Sequence, residues 1–338
     1  MKKKNLLLTA GVAFLLLSAL VSVPIRQAHA QGDTSAVAVK PKDSVPQRFS
    51  FNTGSPDGKL GAVSRPEGSQ GPETETADDF VLTQPTVISG ATIHGLLKAT
   101  GSSVPSVAGV EVEIYRVFKL DSDENRTTGA PTFSTDKVPT RVNSPSDVEI
   151  DSATRDSSDG TLSFMANQIS AFQVQNTVID KINLKPQQLT LGEGPATGEQ
   201  VAINITFDTP LFLLPGHYFF RPEVEVIGGN FLFLSSPRSG TPFPDGTTDL
   251  QAWIRNTNLK PDWLRIGTDI VGAGTFNMTF SLSGNEIPEA GTPGQVDCHD
   301  QTASAIAREF RGIDSSASTL GYSSVPALQD GITVFCGQ

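Results

Sequence analysis

Cysteine is almost missing from this 338-residue chain: only Cys298 and Cys336 occur, both within the last 41 residues. So few thiols exclude a disulfide-dense scaffold and any metal centre built mainly from cysteines. Tryptophan and tyrosine are also scarce, at two and three residues, which leaves little of the aromatic surface that lines sugar clefts. Histidine is limited to His29, His94, His217 and His299. There is no G-x-S-x-G nucleophile elbow, no H-E-x-x-H and no other zinc spacing. His94 lies in a strand-like run, His217 follows the Pro215-Gly216 turn and His299 abuts Cys298 at a helix start. Each reads as a structural histidine before it reads as a catalytic base.

Basic charge is short as well, with 25 Lys and Arg against 36 Asp and Glu. Such a balance repels phosphate backbones and anionic lipid, so nucleic acid and membrane surfaces are not expected partners. Long apolar runs occur only at the start. Met1-Lys2-Lys3-Lys4 is followed by an uncharged stretch from Leu6 to Val23 and then by Ala28-His29-Ala30. A basic n-region, an apolar h-region and an A-x-A site make a secretory signal over residues 1–30, with Gln31 as the expected mature N-terminus. An uncleaved anchor is the competing reading, because the run approaches the roughly 20 residues that span a bilayer. No cysteine sits near the cut, so a lipoprotein anchor is not indicated. Cleavage removes four of the basic residues and none of the acids, leaving 21 against 36 and a net charge of −15. The expected address is extracytoplasmic, secreted or periplasmic.

What remains is patterned as β-structure. Residues 31–48 are small and polar, interrupted by Pro41 and Pro46, and are expected to be flexible. From Phe49 to Ser283 apolar and polar residues alternate, most clearly in Val201-Ala202-Ile203-Asn204-Ile205-Thr206-Phe207 and in Phe276, Met278, Phe280 and Leu282. Shorter alternations lie at Val110-Val112-Ile114, Val148-Ile150, Leu162-Phe164, Phe172-Val174 and Val224-Val226. Period two with one wet face predicts antiparallel strands. Turn signals such as Pro56-Asp57-Gly58, Leu214-Pro215-Gly216 and Gly228-Gly229-Asn230 separate the runs. Many short strands with Gly and Pro turns predict a mainly β fold, an antiparallel, jelly-roll-like sandwich over residues 49–283, as one domain or two.

Gly284 to Val296 carries two prolines and three glycines and reads as a linker. Beyond it, over residues 297–338, the period changes to helical. Ala303, Ile306, Ala307 and Phe310 recur at helical spacing, with Gly312 following as a C-cap. Val325, Leu328, Ile332 and Phe335 form a second such series, with Ser324 as N-cap and Pro326 in the first turn. Ile313, Ala317 and Leu320 suggest a short helix between them. About forty residues bury too little apolar surface for comfortable independent stability. In an oxidising compartment Cys298 and Cys336 are expected to pair; a zinc site would need more ligands than His299. The tail therefore reads as a disulfide-closed helical module.

Ala77-Asp78-Asp79-Phe80-Val81-Leu82, followed by Ile88-Ser89-Gly90-Ala91-Thr92-Ile93-His94-Gly95, resembles a recurrent opening of exported bacterial β-sandwich proteins. The stretches around Val112-Glu113-Ile114-Tyr115, Asp249–Arg255 and Asp262–Asp269 look like parts of the same group. The Cys298-to-Cys336 segment is similar to a small two-cysteine tail found on varied bacterial exported proteins. The resemblance implies fold and compartment and carries no activity.

Two candidate sites come from residue chemistry. Asp121-Ser122-Asp123-Glu124-Asn125 alternates oxygen side chains like the first half of an EF-hand loop. It lacks the glycine and the terminal glutamate of that motif, having Arg126 and Thr132 there. Asp121, Asp123 and Asn125 are thus candidate calcium ligands, as are Asp78 and Asp79 at a strand end; a solvated hairpin loop is the plainer alternative. Trp253 and Trp263 are candidate stacking platforms for sugar rings, with Arg255 and Arg265 beside them. Their apolar neighbours make core packing the stronger expectation. The function expected from all this is a non-catalytic one: binding a polysaccharide or cell-surface partner, or building extracellular structure. The competing class is a polysaccharide hydrolase with paired carboxylates, recognisable by two acids about 5–9 Å apart in a cleft.

Overall fold

In a computed structural model the described residues are 47–337, apart from 69, 118–141, 147, 183–188, 238–241, 244, 258–262 and 273. Residues 1–30, where a secretory signal is expected, and Asp121, Asp123 and Asn125 lie outside them.

Fifteen strands occur among the described residues. In chain order they are β1 (Arg48–Asn52), β2 (Leu60–Val63), β3 (Thr74–Leu82), β4 (Thr86–Ala99), β5 (Ser106–Arg116), β6 (Arg155–Asp156), β7 (Ser163–Val174) and β8 (Asn176–Val178). They continue with β9 (Ala196–Leu213), β10 (Gly216–Ile227), β11 (Gly229–Ser236), β12 (Trp253–Asn256), β13 (Leu264–Arg265), β14 (Asn277–Met278) and β15 (Phe280–Glu286). Nine of them form one sheet and six the other, ordered β13-β12-β3-β10-β5-β6 in the smaller. All described pairings are antiparallel except β2 with β8. The fold is a β-sandwich with a small C-terminal helical module.

The larger sheet is organised around β4, the longest partner of three strands. One edge of β4 pairs with β9 along most of its length. Its other edge is shared: residues up to Ile93 pair with β15 and those from Gly95 onward with β11. Gly95 is required at this fork, because a Cβ there would sit 1.9 Å from the Phe231 ring. β10 turns into β11 through Gly228 at φ +80°, a conformation that glycine adopts without steric cost.

Alternation decides which side chains enter the core. Val110, Val112 and Ile114 of β5 face the larger sheet and are buried with Phe80, Phe220 and Ile254. Ile203, Ile205, Phe207, Phe231, Phe233 and Phe280 come from the other side. Phe220 and Phe280 stack across the gap with ring centroids 5.0 Å apart. Burying each such ring contributes roughly 1.5–3 kcal/mol.

The tail forms three α-helices, α1 (Cys298–Glu309), α2 (Ile313–Thr319) and α3 (Val325–Cys336). Ser324 caps α3 by accepting from the Ala327 N–H at 3.2 Å. Cys298 and Cys336 are joined, with their Cα atoms 5.8 Å apart. Closing a loop of this length contributes roughly 3–4 kcal/mol. The module also has an apolar seat on the sandwich: Phe335 stacks on Phe212 of β9 at 3.9 Å, and Val87 and Ile287 share its core. The Pro- and Gly-rich stretch before it is packed, not free, since Ile287 is buried and its N–H donates to the Pro85 carbonyl.

Candidate functional site

The outward face of the six-stranded sheet carries the densest group of ionisable side chains among the described residues. Strand alternation puts Glu111, Glu113 and Tyr115 of β5 on the face opposite the core residues, together with Arg221 and Glu223 of β10, Glu75 of β3 and Arg255 of β12. Register places Arg221 opposite Glu113, Glu223 opposite Glu111 and Arg255 opposite Glu75. The sheet loosens at this level. Pro222 has no N–H to donate, and the ladder between β3 and β10 ends at Phe220 and Asp78. Ser64 fills in, its hydroxyl donating to the Pro222 carbonyl and its own carbonyl accepting from the Val224 N–H at 3.2 Å.

Arg221 is the hub and is 1 % exposed. Its two terminal nitrogens lie 2.8 Å from Glu113, 3.1 Å from Glu223, 3.5 Å from Glu111, 3.6 Å from Glu75 and 3.9 Å from Glu73. Arg255 donates to Glu75 through Nε and to Tyr115 Oη at 2.9 Å, and Tyr115 Oη donates to Glu113. Among the described residues, five carboxyl groups therefore gather around two guanidinium groups. The physical answer to that surplus is proton retention. Burial pushes the Glu111 carboxyl up to about 8, opposed by Arg221 and reinforced by Glu113 and Glu223. Burial likewise pushes Glu223 up to about 7 against the pull of Arg221, with Glu73, Glu75 and Glu113 adding to the rise.

The network opens to solvent at one side. Glu111, Glu223, Glu225, Asp156, Ser157 and Ser158 line a cleft of about 350 Å³ that Phe164 also borders. The cleft thus combines acid oxygens, serine hydroxyls and one aromatic face. It brings Glu111 and Glu223, both with raised pKa values, into one opening, directly opposite each other on neighbouring strands. Sequence reading had no access to this set, because the alternation shows Glu111, Glu113, Arg221 and Glu223 only as polar positions of a wet face. The available signal was the repetition of charge at every second residue in two runs.

The residues singled out by sequence sit elsewhere. Trp253 is 3 % exposed and Trp263 is fully buried, so neither presents an open face to a sugar. They pack with Ala77, Tyr115 and Phe219 in a small cluster behind the network. The Trp263 indole N–H donates to the Ser146 carbonyl at 3.2 Å. Arg255 lies over the Trp263 ring at 4.5 Å from its centroid, which makes the indole a support for the network. Arg265 is paired with Asp269 at 2.7 Å through the opening of a π-helical turn, Ile266–Val271.

Asp78 and Asp79, consecutive in β3, point to opposite faces. Asp78 is wholly buried and accepts from the Met278 N–H at 2.7 Å; burial, with the neighbouring Asp79 charge, pushes its pKa well above the usual range. Asp79 accepts from the Leu250 N–H at 3.1 Å and bonds His217 Nε2. Both carboxyls are thus engaged with protein groups, and among the described residues no set of three or more His, Cys, Asp or Glu side chains is arranged to hold a metal ion. His94 is half-buried, with its pKa lowered by desolvation, and His299 rests 3.8 Å from Asp300 near the start of α1. Among the described residues none of His94, His217 and His299 bonds a serine or cysteine nucleophile.

No family model, curated protein or solved structure matches this chain.

Proposed function

We propose that this chain is an exported, non-catalytic binding protein whose ligand is a glycan or another hydroxyl-rich cell-surface partner. The observation that carries the reading is the cleft bordered by Glu111, Glu223, Glu225, Asp156, the two serines and Phe164. Acid oxygens accept from sugar hydroxyls, serine hydroxyls donate and accept, and an aromatic ring offers an apolar face. Export is supported by the signal pattern of residues 1–30 and by the Cys298–Cys336 bridge, since disulfides persist in oxidising compartments. The test is retention of the oxidised protein on a panel of insoluble polysaccharides, with Phe164→Ala and Glu225→Gln as comparison variants. Retention by the wild type that drops in both variants supports the reading. Equal retention of all three, or none of the wild type, removes it.

One observation favours a second reading, a polysaccharide hydrolase. Glu111 and Glu223 face one cleft with pKa values pushed up to about 8 and about 7, and a general acid must hold its proton near neutral pH. Release of new reducing ends from a polysaccharide, abolished by Glu111→Gln, would establish it. Binding without reducing-end release leaves the first reading in place.

A further inference from the structure

A second cavity, also of about 350 Å³, lies where the helical module meets the sandwich. Its walls are apolar on both sides: Pro210 and Phe212 come from β9, Ala327 and Val334 from α3. Two polar groups converge on it. Arg155 of β6 is 8 % exposed, and its guanidinium donates only to neutral acceptors: the carbonyls of Thr209, Ser152 (3.0 Å), Thr154 (2.7 Å) and Pro210 (3.1 Å). No carboxylate pairs with it among the described residues. Tyr322, 5 % exposed, brings a buried hydroxyl with no hydrogen-bond partner. Gly331 of α3 makes room for that hydroxyl, for a Cβ there would come within 2.5 Å of Tyr322 Oη.

A buried cation without a counter-charge and a buried hydroxyl without an acceptor are each costly. Both costs vanish if one anionic acceptor sits between apolar walls. We infer that this cavity binds a small monocarboxylate with an apolar body. Its carboxylate takes the Tyr322 O–H and a remaining Arg155 N–H while its tail lies against Phe212, Pro210 and Val334. A phosphate or sulfate would suit the charge but not the walls, and a neutral alcohol would leave Arg155 uncompensated. A cavity of this size is at the small end of ligand pockets, which span about 300–1,000 Å³. Asp330, exposed and also lining the cavity, opposes an anion only through screening solvent. The site is separate from the acidic cleft even though Asp156, the next residue in β6, lines that cleft.

The test titrates the full oxidised protein with octanoate, using 1-octanol and octylamine as neutral and cationic probes, by calorimetry and by thermal melts. Saturable octanoate binding that raises Tm is expected, with octanol at least about tenfold weaker and octylamine weaker still. Tyr322→Phe keeps the ring and its packing, so it should fold; it is expected to weaken octanoate about tenfold and leave octanol unchanged. Asp330→Asn, an exposed change, should tighten octanoate slightly. Absence of saturable octanoate binding, equal affinity for octanoate and octanol, or an unchanged octanoate affinity in Tyr322→Phe would each overturn the assignment.

Discussion

Two buried arginines of this protein solve opposite problems. Arg221 stands among five carboxyl groups, with Arg255 as the other cation among the described residues, and the surplus there is negative. Arg155 bonds four backbone carbonyls and, among the described residues, no carboxylate, and the surplus is positive. The first environment relieves itself by keeping protons on Glu111 and Glu223. The second bonds no carboxylate among the described residues, and the charge that neutralises it is that of the proposed ligand. A buried charge therefore does not announce its role by burial; what decides is whether its surroundings can neutralise it.

The largest expected effects come from removing the hub or its support. Arg221→Met leaves the carboxyls facing one another, so a loss of about 3–5 kcal/mol is expected at pH 8. The loss should shrink at pH 5, where the acids take up protons. Denaturant melts at the two pH values read this directly, and an equal loss at both would break the proton-sharing account. Trp263→Ala should cost a similar roughly 3–5 kcal/mol, because the indole is core and underlies Arg255. A change within about 0.5 kcal/mol would mark it as a surface residue instead. Arg155→Met should cost less, about 1–3 kcal/mol, since only carbonyl acceptors are stranded. That cost should be the same at pH 5 and pH 8.

The pH dependence of the wild type sharpens the same contrast. Folding raises the pKa of Glu111 to about 8 and of Glu223 to about 7, above the roughly 4.3 of an unfolded chain. Below that unfolded value their contribution is fully present, and it is lost as pH climbs through the folded values. Between pH 5 and 8 the folded state holds more protons than the unfolded state, so stability falls with rising pH. The slope is about 1.4 kcal/mol per pH unit for each proton retained. Glu111→Gln should flatten it by up to one such increment. A slope identical to wild type would show that Glu111 ionises normally.

Much of the fold was legible because alternation reports the core face directly. Val201 to Phe207 became β9, Phe280 and Leu282 entered β15, and the helical periods of the tail became α1 and α3 with the Ser324 cap in place. The candidate site was not legible, for a reason tied to the same alternation. A polar residue in a strand reads as facing water, yet on the outer face of the six-stranded sheet Glu75, Arg221 and Arg255 are buried. Period two separates faces but does not say whether a face is wet. Trp253 and Trp263 are buried with them, packed in one cluster with Tyr115. Tyr322 and Arg155 are 167 residues apart in sequence and meet only because the module docks on β9.

The smallest expected effect is the most discriminating one for Arg155. Tyr322→Phe deletes a single buried hydroxyl that has no acceptor, and burial has pushed that phenol up to about 12, so it is never an anion near neutral pH. In the ligand-free protein the hydroxyl pays its desolvation cost with no bond in return. Removing it should leave stability unchanged or raise it by up to about 1 kcal/mol, measured by urea melts of wild type and variant. Had the hydroxyl been part of a satisfied network like that of Tyr115, its removal would instead lower stability by about 1–2 kcal/mol. Tyr115→Phe, which strands Glu113 and Arg255, supplies that reference within the same protein. A loss for Tyr322→Phe as large as for Tyr115→Phe would mean that the hydroxyl is already bonded, and the contrast between a self-neutralised arginine and a waiting one would fail.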